Sequence, residues 1–156
     1  MPDCSSSVAS GSPPPPECLA AAAYAVAHDL ELLDIAWAEK NTRLGWSLWF
    51  VLARSLMDFF FKTDREKDTI LASDFPAVEP WPPFAASLVA TAEKLPAYKA
   101  VRAAANKNVA HLTYERTNEN AESRIPPSEP VHRFLKGVAS EWMSRLNPEA
   151  RVWFGS

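Results

Sequence analysis

The run from Leu44 to Phe61 constrains the fold more than any other part of the chain. It holds Trp46, Leu48, Trp49, Phe50, Val51, Leu52, Leu56, Met57, Phe59, Phe60 and Phe61. At helical spacing these side chains fall on nearly every side, leaving no wet face. Asn41 or Thr42 can cap such a helix, which extends to about Lys62. A helix of this kind must be covered from several directions. It is the central helix of a bundle, or one of its sides forms a dimer interface. Arg54 and Asp58 stand near its middle, and charges there are costly in bilayer hydrocarbon. The run therefore reads as a buried helix of a soluble protein.

The neighbouring segments supply covering helices. Glu17 to Glu39 is rich in Ala and Leu, good helix formers. Tyr24, Leu30, Leu33 and Trp37 fall near helical spacing, and Asp29, Glu31, Asp34 and Glu39 give this helix a wet side. Thr63 to Pro83 is longer than an ordinary loop. Its Ile70-Leu71-Ala72, Phe75 and Trp81 suggest a connection pinned to the core, with one helical turn at Thr69 to Ala72. Phe84 to Leu95 forms a third helix. Pro96 can occupy the first turn of a fourth, from about Ala97 to Arg116. Val131 to Leu146 forms a fifth, striped by Val131, Phe134, Leu135, Val138, Trp142 and Leu146. Asn147-Pro148 ends it. The apolar Val152-Trp153-Phe154 is expected to dock on the core or on a partner.

The expected fold is all-α, a bundle of four to five helices over residues 17–146. A Ser/Pro-rich disordered leader covers 1–16, and a tail covers 147–156. The leader has no apolar stretch behind a basic one, so it does not read as a signal peptide. Gly numbers only 4 against 14 Pro, which argues against a sheet of tight hairpins. A length of 156 residues fits one domain. Net charge is -3, so there is no bulk basic field for nucleic acid, although a local basic patch can still serve. Cys4 and Cys18 lack the close spacing of a metal pair and read as reduced thiols of a cytoplasmic protein. No cofactor, metal or membrane is implied.

Chemistry concentrates in Ala105-Asn106-Lys107-Asn108-Val109-Ala110-His111-Leu112-Thr113-Tyr114-Glu115-Arg116. His111 is one of three histidines. Lys107, His111 and Glu115 are spaced i, i+4, i+8 and share a helix face. An imidazole there suits proton transfer near neutrality. The competing reading is a packing histidine bonded to a carbonyl or carboxylate. Arg54 and Asp58, also i, i+4, read as a self-satisfying ion pair that seeks further polar partners across the bundle. Asp74, before Phe75-Pro76, reads as a turn or cap residue. His132 follows a Pro-interrupted loop and is given no role; His28 reads as a surface residue. No Gly-rich phosphate loop, zinc-type cluster or Ser-His-acid order is present.

Three pieces together resemble the pattern of HEPN-like bacterial proteins: Ala53-Arg54-Ser55-Leu56-Met57-Asp58-Phe59-Phe60, Ser73-Asp74-Phe75, and Asn106-Lys107-Asn108-Val109-Ala110-His111-Leu112-Thr113. The resemblance spans roughly residues 20–146. It implies a helical bundle that pairs as a homodimer, found in toxin–antitoxin and other defence systems. In active members an Arg and a His on one helix, with four to six residues between them, line a cleft at the dimer interface. They cut RNA without metal: a ribose 2′-hydroxyl attacks the adjacent phosphate, His moves protons, and Arg neutralises the phosphorane. His111 matches the family's histidine. No arginine stands at the matching positions, which hold Ala104, Ala105 and Asn106. Arg102 is half a turn out of phase and about 13 Å along the helix. The cation falls to Lys107 or to Arg54.

Two functions follow. One is an RNA-directed module of a defence or stress system. It would be a metal-independent endoribonuclease with His111, Lys107 and Arg54 as catalytic groups. Asn106, Thr113, Tyr114 and Arg116 would bind substrate, Asp58 and Asp74 would serve as structural polar groups, and a partner protein would neutralise the activity. The other is a non-catalytic helical module that binds protein or nucleotide and whose polar helix is buried structure.

Overall fold

The structure, a computed structural model, describes residues 14–62, 69–79, 81 and 129–155. Over these residues the chain is helical, with no strand and one isolated bridge between Ala77 and Leu146. The helices, numbered over the described residues, are α1 (Pro16–Ala38), α2 (Arg43–Phe61), α3 (Glu129–Arg145) and α4 (Pro148–Val152). A 3-10 turn spans Ala72–Asp74. The all-α expectation holds to this extent. The expected third and fourth helices, at 84–95 and 97–116, lie outside the described residues, as does the leader up to residue 13.

α1 and α2 form an antiparallel hairpin, and local chemistry sets both of its ends. Pro15 and Pro16 start α1, where a missing N–H costs nothing. Thr42 caps α2: its hydroxyl oxygen accepts from the Gly45 N–H at 3.0 Å and its O–H donates to the Glu39 carbonyl at 2.9 Å. Gly45 sits where α2 crosses the end of α1. A Cβ there would press on the Glu39 carbonyl and lie 2.7 Å from Glu39 Cβ.

The core is built on α2. Trp49, Phe50, Leu52, Ala53, Leu56, Met57, Phe60 and Phe61 are buried. α1 covers them with Leu19, Ala23, Val26, Leu30, Leu33 and Ala36, and α3 with Val131, Leu135, Val138, Ala139 and Trp142. Yet α2 is not covered all round. Leu44 is 78% and Val51 46% exposed, on an outer stripe that passes through half-buried Leu48. By length and apolarity α2 is the one described helix that could span a bilayer; here more than half of it packs against α1, α3 and the connection.

The connection after α2 is pinned to the core by Leu71, Ala72, Phe75 and Trp81, all buried. Its helical turn falls at Ala72–Asp74, not at Thr69 to Ala72. The shift comes from Asp74, whose carboxylate accepts from the Leu71 N–H at 2.8 Å and fixes the turn there. The segment then runs beside the end of α3: the Val78 N–H donates to the Arg145 carbonyl, and the Asn147 N–H to that of Pro76. The tail beyond Asn147 docks on the core through Trp153 and Phe154, carried by a short helix. Asn147 caps α4 through the Ala150 N–H. α4 turns Trp153 and Phe154 onto Phe75, and Phe154 also onto Trp142, while Val152 stays exposed.

Cys18 departs from the reduced-thiol expectation. It is buried and disulfide-bonded. The sequence's other cysteine, Cys4, lies outside the described residues. Sequence spacing does not reveal such a bond, because it depends on Cα separation in space.

Two glycines give a paired test. Gly45→Ala adds a good helix former but drives Cβ into backbone. Its unfolding free energy should fall by about 1–3 kcal/mol in a denaturant titration. Gly137→Ala, inside α3 and with nothing within 4 Å of its Cβ, should rise by about 0.5–1 kcal/mol.

Candidate functional site

α2 displays Arg54 and Asp58 one turn apart, with Arg54 Nε 3.7 Å from Asp58 Oδ2. Their side chains are 38% and 39% exposed, so the pair stands at the rim of the hairpin. The expected i, i+4 pair forms, but on a half-exposed edge of the helix and not in its buried interior. A single contact through Nε leaves the other guanidinium N–H groups of Arg54 with no protein acceptor among the described residues.

Beside this pair runs a groove of about 410 Å³ between α1 and α2, lined also by Thr69 and Ile70. Its apolar lining includes Val26, Leu56 and Phe59, and its polar groups include Asp29, Ser55, Asp58 and Lys62. Asp29 approaches α2 from α1. Burial raises its carboxyl above the ordinary range, opposed by the nearby His28 and the Ser55 hydroxyl. The Ser55 O–H donates to Asp29 at 3.5 Å, the long limit of such a bond. The groove thus combines apolar side chains with two carboxylates and a lysine. Asp74 takes no part in it: its carboxylate holds the Leu71 N–H in the 3-10 turn.

The described residues also bring together a group that the sequence did not single out. His132 on α3 is 9% exposed. Its Nδ1 accepts from the buried Trp49 indole N–H of α2 at 3.3 Å. Its Nε2 lies 3.5 Å from Asp34 Oδ1 of α1. The ring stacks on Trp37 at 4.5 Å between centroids and 9° between planes. Lys136 Nζ meets the other Asp34 oxygen at 2.5 Å, and Lys40 sits over Trp37. An Asp beside a His suggests a general-base dyad, but Trp49 donates and cannot accept, which ties up the nitrogen that would take a substrate proton. The arrangement joins three helices and offers no base to a substrate. The signal that could have found it is the stripe of α3, which continues from Leu135 back through Val131 and places His132 beside that stripe.

His111, Lys107, Asn106, Thr113, Tyr114 and Arg116 lie outside the described residues. Among the described residues no group of three His, Cys, Asp or Glu side chains could hold a metal ion. No family model matches the chain, and neither a curated protein nor a solved structure matches it.

A half-exposed i, i+4 pair contributes little to stability. Arg54→Ala should therefore change the unfolding free energy by less than about 1 kcal/mol, read by chemical denaturation. A larger loss would mean that Arg54 holds the fold together and does not stand ready for a ligand.

Proposed function

We propose that this chain is a HEPN-like, RNA-directed module of a bacterial defence or stress system, acting as a homodimer and cutting RNA without metal. Arg54 carries the reading from the described residues. It is a half-exposed guanidinium, held by one contact from Asp58, with donors left over for a phosphate. A planar, permanently charged fork suits a phosphorane better than a lysine does, so Arg54 ranks above Lys107 as the charge-stabilising group. His111 moves the protons, and Asn106, Thr113, Tyr114 and Arg116 position the RNA. In this chemistry the 2′-hydroxyl attacks phosphorus and loses its proton. The bond to the 5′-oxygen breaks and that oxygen gains a proton. The products end in a 2′,3′-cyclic phosphate and a 5′-hydroxyl.

A second reading is a non-catalytic module that binds a protein or nucleotide. The groove favours it: Asp29 and Asp58 place carboxylates where a phosphodiester would be repelled.

Cleavage of a mixed RNA pool in excess EDTA separates the two. The wild-type protein should produce cyclic-phosphate ends. His111→Ala should lose about 10²–10⁴-fold in rate, and Arg54→Ala about 10²–10³-fold, with both variants folded by circular dichroism. No cleavage by the wild type, or equal cleavage by all three, would overturn the ribonuclease and leave the binding module.

A further inference from the structure

We propose that His132 is a pH-sensitive latch, closed on the α1–α2 hairpin when its imidazole is neutral and released when that imidazole gains a proton.

The geometry fixes the neutral form. A tryptophan N–H only donates. The Trp49 indole, buried with its N–H on His132 Nδ1 at 3.3 Å, requires a lone pair on that nitrogen. The ring proton therefore sits on Nε2, pointing at Asp34 Oδ1 3.5 Å away. Both ring nitrogens are engaged, each by a different helix, and the ring face is engaged by Trp37. A second proton has one place to go, Nδ1. There it meets the indole N–H, two donors face each other, and the Trp49 N–H loses its acceptor in an apolar surround.

The charges facing the ring differ by element. α1 presents Asp34, which favours the charged form, and Lys40 at its end opposes it. α3 itself adds Lys136 against protonation and Glu129 for it, with Arg133 drawn to Glu129. At this point α2 contributes the Trp49 indole. Burial outweighs Asp34 and holds the imidazole below its ordinary 6.5. The sign follows. The folded state binds the proton less readily than the unfolded chain, so the contribution is complete above about pH 6.5 and is lost as pH falls through the folded value. α3 leaves the hairpin more easily in acid.

The test is a proton-NMR titration of the full chain from pH 8 to 5, following His132 Cε1–H and the Trp49 indole N–H. His132 should titrate below 6.5. Between its midpoint and that of a free imidazole, exchange of the Trp49 N–H should rise by up to about tenfold per pH unit beyond its intrinsic pH dependence. Two surface substitutions test the sign. Asp34→Asn should move the midpoint down, and Lys136→Met should move it up. Those shifts report the charges around the ring; a purely structural contact is one whose Trp49 N–H protection stays constant while His132 titrates. A midpoint at or above 6.5, shifts in the same direction, or unchanged Trp49 protection across the titration would each overturn the latch.

Discussion

Every described tryptophan N–H in the deep core must find an acceptor, because an indole donor left unpaired in an apolar interior costs about 1–3 kcal/mol. Three of them settle how the pieces meet. Trp81 donates to the Phe60 carbonyl at 3.2 Å and ties the connection to α2. Trp142 donates to the Ala72 carbonyl at 3.2 Å and ties α3 to the connection. Trp49 donates to His132 and ties α2 to α3. Hydrophobic burial is non-directional. The directed bonds fix their register, and the rings stack around them: Trp142 meets Phe59, Phe60, Phe75 and Phe154 edge-on at 5.2 to 5.7 Å.

α2 therefore has two sides with different work. Its inner side is the common partner of α1, α3 and the connection. Its outer edge carries Leu44, Leu48, Val51, Ser55, Asp58 and Lys62 toward the groove and the surface. Arg54 and Asp58 belong to this outer edge. The helix that carries them is packed into the core, while the Arg54 side chain stays 38% exposed. That combination is what a charged group needs if it is to meet a ligand without first breaking the core.

Much of this was legible in the sequence, and the misses share a cause. The ends of α1 and α2 and the cap of α4 follow from short-range chemistry: Pro at the first turn, Thr42 on the Gly45 N–H, Asn147 before Pro148. The pinning of Phe75 and Trp81 followed from their apolarity in a long connection. The position of the 3-10 turn was missed because Asp74's bond to Leu71 competes with the apolar run just before it. The exposure of Arg54 and Asp58 was missed because residue type gives the polarity of a helix face, not which face the other helices leave uncovered. The chemistry-rich segment from Asn106 to Arg116 gains nothing from the described residues, so its role still rests on the sequence resemblance.

His132 shows most clearly where one-dimensional reading stops. A histidine after Pro130-Val131 has no fixed sequence neighbour, and its three partners come from residues 34, 37 and 49. Position in space also decides what kind of histidine it is. An imidazole that accepts from the Trp49 N–H on one nitrogen and points the proton of the other at Asp34 has no lone pair open for general-base catalysis. A catalytic dyad needs the carboxylate to hold one nitrogen's proton and leave the other lone pair open to substrate. Here that lone pair is occupied by a group that cannot be displaced without opening the core. The same occupancy that removes His132 from catalysis makes its protonation a structural event.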